Sequence, residues 1–97
     1  MKVVYAARAR ADLEEISAYI SRDSVRAARA WLERLRQRAR DAALVPWAGR
    51  QVPEGERHEL REVFLGTYRI VYEVLPDAIQ VLAIREGHRL LPDLTEP

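Results

Sequence analysis

The side chains in this sequence that could act on a substrate are mostly arginines. Of its 16 Lys and Arg residues, only Lys2 is a lysine. A guanidinium suits bidentate contact with phosphate or carboxylate, where an ammonium acts as a point charge. The other resource is two histidines, His58 and His88, thirty residues apart. An unperturbed imidazole titrates near pH 6.5, so His88, with Arg89 beside it, could give or take a proton. There is no cysteine, which excludes thiol catalysis, disulfides, zinc fingers and iron–sulfur clusters. Two distant histidines do not make a structural zinc site. No metal and no cofactor is expected.

The net charge of +1 conceals an uneven distribution. Arg22 to Arg40 carries seven arginines against Asp23 and Glu33, a local +5. Glu54 to Glu62 carries four glutamates against Arg57 and Arg61, a local −2. Both a nucleic acid and an acidic protein segment therefore stay open as partners, as does a solvated helical face.

The 97 residues are one domain's worth of chain, 48% hydrophobic and 32% charged, a globular balance. That length leaves no room for a separate cofactor domain. No run approaches the roughly 18 apolar residues of a membrane span, so no membrane partner is expected. The start, Met1-Lys2-Val3-Val4-Tyr5, lacks a signal peptide's apolar core, and a cytoplasmic location is expected.

Periodicity places these groups on elements. Lys2 to Tyr5 is a short β-prone run. Ala9, Leu13, Ile16 and Ile20 form one apolar stripe, predicting a helix over about Ala7 to Ser21. Asp12, Glu14 and Glu15 sit in its first half, on the favourable side of the helix dipole, while Ala6 and Ala7 offer no capping acceptor. Asp23 or Ser24 can cap a second helix from about Val25 to Ala43, with Ala28, Leu32, Leu35, Ala39 and Ala42 as its stripe. The short link predicts an antiparallel hairpin. Pro46 to Arg57 reads as a loop. The period then falls to two. Glu59–Leu65, Tyr68–Leu75 and Ala78–Glu86 read as strands of an antiparallel meander, joined at Gly66-Thr67, suited to a type II′ turn, and at Pro76-Asp77. Tyr68, Ile70, Tyr72 and Val74 share one face of the middle strand, which should cover the hairpin. Arg69, Val71, Glu73 and Leu75 share the other, expected to be half-polar and open to a partner. The order β-α-α-β-β-β defines a single α+β domain, an antiparallel sheet packed on an N-terminal helical hairpin. The first strand is expected at a sheet edge.

Three segments in this order resemble the RelE/ParE superfamily of toxins from bacterial type II toxin–antitoxin systems. Ala9 to Ile20 is similar to an A-x-x-D-L-x-x-I-x-x-Y-I helix. Leu60-Arg61-Glu62-Val63 with Tyr68-Arg69-Ile70-Val71-Tyr72-Glu73-Val74 is similar to the L-R-x-L and Y-R-I-x-Y-x-V strands. Val81 to Pro92 is similar to the last strand and basic C-terminal motif. Pro46-Trp47-Ala48-Gly49-Arg50 looks like the P-x-x-G-R loop. The L-R-E-V strand and Arg-rich second helix resemble ParE more than RelE.

The resemblance implies a toxin that binds DNA gyrase, blocks replication and is neutralised by a cognate antitoxin in a hetero-oligomer. Candidate target-binding residues are Arg61, Arg69, Arg85 and Arg89. Leu13, Ile16, Ile20, Trp31, Leu35 and Trp47 are candidates for antitoxin contact. The antitoxin, with a DNA-binding N-terminal part, is expected to wrap the hairpin and sheet with an amphipathic helix and an extended acidic segment. RelE-like relatives instead cleave ribosome-bound mRNA. On that reading Arg69 would contact the scissile phosphate, assisted by Arg61, Arg89 and His88. The departures are plain: no Tyr follows Tyr72, and Glu86 stands where many relatives carry His. Arg69 has a simpler use too, pairing with Glu62 or Glu73 across the sheet. A relic that only binds antitoxin is the third reading.

Overall fold

The computed structural model describes residues 1–87; His88 and Arg89 lie outside them. Strand β1 (Lys2–Tyr5) leads into α1 (Ala7–Ser21) and α2 (Val25–Leu44). A single 3₁₀ turn at Pro46–Ala48 precedes β2 (Arg50–Gln51). Strands β3 (Leu60–Leu65), β4 (Tyr68–Val74) and β5 (Ala78–Glu86) follow.

Both helices form where the apolar stripes require them. Ser24 caps α2, its Oγ accepting from Ala27 N–H at 3.1 Å. Ala6 caps α1 with no side-chain bond, and no acid lies in the first turn of α1. The dipole role read for Asp12 is therefore replaced by another, described below. The stripes meet Ile70, Tyr72, Val74, Ile79, Val81 and Ile84 in the main core. Gly66 has φ of +58° while Thr67 stays negative, as a II′ turn requires.

The sheet order is β1-β5-β4-β3-β2. β1 is an edge, as expected, but it runs parallel to β5, with Lys2 opposite Ala78 and Tyr5 opposite Val81. The sheet is therefore mixed rather than wholly antiparallel. Ala6 N–H donates to Val81 C=O at 2.9 Å, so the chain leaves β1 directly into α1. A bulge at Leu82 shifts the β4–β5 register, pairing Tyr72 with Val81 but Val71 with Ala83. Leu82 lies on the second face, and the extra residue shifts the phase beyond it so that Ile84 returns to the main core.

The second face is not open. The segment after β2 folds over it, and Val52 joins Leu60, Val71 and Leu82 in a second apolar cluster. Val52 N–H donates to Leu60 C=O at 3.3 Å, and β2 pairs with β3. The expected half-polar docking face is thus a covered interior.

Candidate functional site

Arg69 lies at the centre of that covered face, only 5% exposed. Its Nε and Nη2 donate to Glu62 Oε1 at 3.0 and 2.6 Å. Its Nη1 and Nη2 donate to Glu54 Oε2 and Oε1, both at 2.9 Å. Glu62 is wholly buried and also pairs with Arg50, whose Nε donates to Oε2 at 2.7 Å. The result is a four-residue chain, Glu54–Arg69–Glu62–Arg50, linking loop, β4, β3 and β2. The hydrogen bonds that Arg69 donates to Glu54, and then those to Glu62, hold its proton more firmly than in a free arginine, against the opposing effect of burial. In turn the Arg69 hydrogen bonds hold the Glu54 carboxyl below its usual range.

The loop is fastened at its other end as well. Arg61 Nη1 donates to the carbonyls of Trp47 and Gly49, each at 3.2 Å, and its Nε to His58 C=O at 3.0 Å. Trp47, 48% exposed, stacks on His58 at 5.0 Å, with the Arg61 guanidinium over its ring. Tyr72 Oη donates to Pro46 C=O at 2.7 Å. A Cβ on Gly49 would overlap that hydroxyl and come within 3.2 Å of the Glu62 carbonyl oxygen. Pro46, Gly49 and Arg50 therefore have separate structural duties within the loop.

On the helical side an open cleft of about 310 Å³ runs between α1 and the ends of β4 and β5. Ile16, Tyr19, Tyr68 and Ile84 give it an apolar floor, with Asp12, Glu15, Arg85 and Glu86 around them. Asp12 is buried at its edge. Because β1 ends opposite Val81, β5 has no strand partner on that side beyond it among the described residues. The Asp12 carboxylate takes that role, accepting from Ile84 N–H at 2.9 Å. Burial pushes its carboxyl above the usual range, opposed by that hydrogen bond and by Arg85. Arg85 Nη2 lies 3.6 Å from Asp12 Oδ1, while its buried Nε has no hydrogen-bond partner among the described residues.

The profile of the family described as ParE toxin of type II toxin-antitoxin system, parDE, matches residues 3–91. The chain belongs to the ParE toxin family. The fold agrees. A chain of the chromosomal ParDE TA system from P. aeruginosa superposes with a TM-score of 0.72 at 21% identity, over 89% of this chain and 95% of that one. No curated protein matches. The chain is thus the toxin of a toxin–antitoxin pair, with a cognate antitoxin as its partner.

The toxin distributes the sequence-predicted residues differently from expectation. Arg69 and Arg61 are tied to acceptors of their own chain, and Arg85 leans on Asp12. Arg89 and His88 lie outside the described residues. Among the antitoxin candidates, Leu13 and Leu35 are core residues, because the α1–α2 stripes face the sheet. Ile16, Ile20 and Trp31 are half-buried, and Trp47 is exposed. Trp31 meets Tyr68 edge-on at 5.9 Å, with Arg34 over its ring. Sequence reasoning missed Glu54 as a partner of Arg69, Asp12 as a strand surrogate, and Tyr19 and Tyr68 as part of the cleft's apolar floor. The D of the helix motif was the available signal for Asp12. No helix among the described residues is long and apolar enough to cross a membrane.

Proposed function

We propose that this toxin acts by binding DNA gyrase in the cytoplasm, stalling its cleavage–religation cycle and so blocking replication. The observation that carries the choice of a binding toxin over a nuclease is the state of Arg69. The guanidinium that RelE-like cleavage would aim at a phosphate is bound by two carboxylates and closed in by the loop. Releasing it would leave Glu62 buried without its main counter-charge, which costs several kcal/mol.

The antitoxin seats an apolar helix face in the cleft between α1 and β4–β5, where Tyr19 and Ile16 replace the buried Leu13 and Leu35 as contacts. The edge of β1 accepts an added strand, since Lys2 and Val4 are exposed there and, among the described residues, no strand lies beyond them in the sheet.

The test is gyrase supercoiling of relaxed plasmid with purified toxin titrated in and antitoxin added back. Inhibition with trapped cleaved DNA, reversed by antitoxin, is the expected result. Unchanged supercoiling by folded toxin rejects gyrase as the target. Ribosome-dependent mRNA cleavage would then separate an interferase from an inert antitoxin binder.

A further inference from the structure

Sorting the arginines of the described residues by what they touch leaves Arg8, Arg10 and Arg22 scattered along α1 and at its end, and one aligned group on α2. Arg50, Arg57, Arg61, Arg69 and Arg85 all contact acceptors of their own chain. Arg38 donates to Phe64 C=O and Arg34 covers Trp31. On α2, by contrast, Arg26, Arg29 and Arg36 are exposed and make no ion pair among the described residues. At 3.6 residues per turn, Arg26, Arg29, Glu33, Arg36 and Arg40 fall within a sector of about 80°. They form a straight ridge about 21 Å long at 1.5 Å per residue. Its only acid, Glu33, is neutralised by Arg40 Nη2 at 2.8 Å.

We infer that this ridge is a contact surface for the phosphate backbone of duplex DNA. Three features select that partner. The ridge holds no apolar residue between Arg26 and Arg40, so it lacks the buried anchor on which protein interfaces depend. It also has no aromatic platform, which single-stranded nucleic acid would need. What it does have is a rigid row of guanidiniums, matched to the regular array of charges along a duplex. The contact is sequence-independent, because nothing on the ridge is placed to read base edges. A target enzyme that holds DNA would offer the toxin this second contact. The inference does not depend on gyrase being that enzyme.

The test measures binding to a fluorescein-labelled 20-bp duplex by anisotropy, with no gyrase present, from 50 to 200 mM salt. Three phosphate contacts predict a log–log salt slope of about −2.7, or roughly a 40-fold loss of affinity across that range. The R26Q/R29Q/R36Q variant should bind at least tenfold more weakly at 50 mM salt, with its slope falling to near zero. It should keep wild-type circular dichroism and antitoxin affinity. A charge-matched R8Q/R10Q/R57Q variant should stay within about twofold of wild type, because those residues lie off the ridge. Absence of binding by folded toxin at 50 mM salt overturns the inference. So does binding that the ridge substitutions leave unchanged, or that the charge-matched variant weakens equally. Loss of antitoxin affinity in the ridge variant overturns it too, by assigning the ridge to an acidic protein segment.

Discussion

Replacing Arg69 by Met should cost the toxin about 3 kcal/mol of stability, since breaking a buried ion pair costs roughly 3–5 kcal/mol. The side chain makes four charge-assisted contacts of 2.6–3.0 Å, two of them to a carboxylate with no exposed surface. Removing it leaves Glu62 with Arg50 alone, and Arg50 is largely exposed. The retained partner sets the expectation at the low end of the range. For a domain of this size about 3 kcal/mol corresponds to a fall of roughly 12–24 °C in Tm. The double variant Glu62→Leu/Arg69→Met should recover most of the loss, because Val52, Leu60, Val71 and Leu82 already make this face apolar. Glu54 and Arg50 then return to water at the rim. Urea unfolding at pH 7, followed by the fluorescence of Trp31 and Trp47, measures both variants. A loss below about 1 kcal/mol for Arg69→Met would refute the reasoning, being no more than an exposed pair contributes. So would a double variant as unstable as the single. If the folded double variant still inhibits gyrase, Arg69 has no part in target contact.

Gly49→Ala should destabilise by about 2–3 kcal/mol, from overpacking against Tyr72 and loss of its bond to Pro46; thermal unfolding reads it, and an unchanged Tm would contradict the packing. Ser24→Ala removes the cap of α2 and should cost about 1 kcal/mol in urea unfolding. Glu54→Gln should cost about 1 kcal/mol or less at pH 7, because Glu54 is partly exposed. The folded Glu54 carboxyl lies below its unfolded value of about 4.3, so its stabilisation is complete above that pH. It is lost as pH falls through the folded value, and the gap between wild type and variant should close there in unfolding curves taken down the acid range. Asp12 has the opposite sign. Burial raises its carboxyl, so its charge costs stability at neutral pH. Asp12→Asn, whose carbonyl can still accept from Ile84, should be the more stable protein at pH 7, with the advantage shrinking as pH falls toward the unfolded Asp value.

Local patterns carried far into this fold. The stripes of Ala9-Leu13-Ile16-Ile20 and Ala28-Leu32-Leu35-Ala39 place both helices because only one face of each meets the sheet. Gly66 marks a hairpin because its turn requires positive φ. The strand phase on β4 put Tyr72 against the helices correctly, and Arg69 does pair with Glu62, one of the two acids its strand neighbours offer. Long-range geometry was the illegible part. Nothing in Lys2–Tyr5 states whether it runs with or against its partner. The Pro- and Gly-bearing stretch from Pro46 to Arg57 reads as a loop, yet it lays Val52 and Glu54 across the sheet. The pairing of Glu54 with Arg69 joins residues fifteen positions apart, with no shared period to reveal it. The bulge at Leu82 breaks the alternation that a strand reading assumes. For the candidate site this changed the outcome most: Arg61, Arg69 and Arg85 stood out as chemistry, and the fold engages them as fasteners.

The pairing of β1 with β5 also sets when the toxin comes into being. Synthesis proceeds from Lys2 toward Ala78, and among the described residues the first strand made has its only strand partner in the last. Asp12 likewise waits for the backbone of Ile84. A growing chain can form the helical hairpin, whose contacts are local, but the surface it settles on is incomplete until Ile79, Val81 and Ile84 of β5 join Val63, Ile70, Tyr72 and Val74. Contacts this far apart in sequence also delay closure of the sheet relative to the helices. Both walls of the cleft therefore exist only once β5 has been made. The cleft proposed for the antitoxin is thus among the last surfaces of the described fold to form, and an antitoxin already present can meet the toxin as it folds.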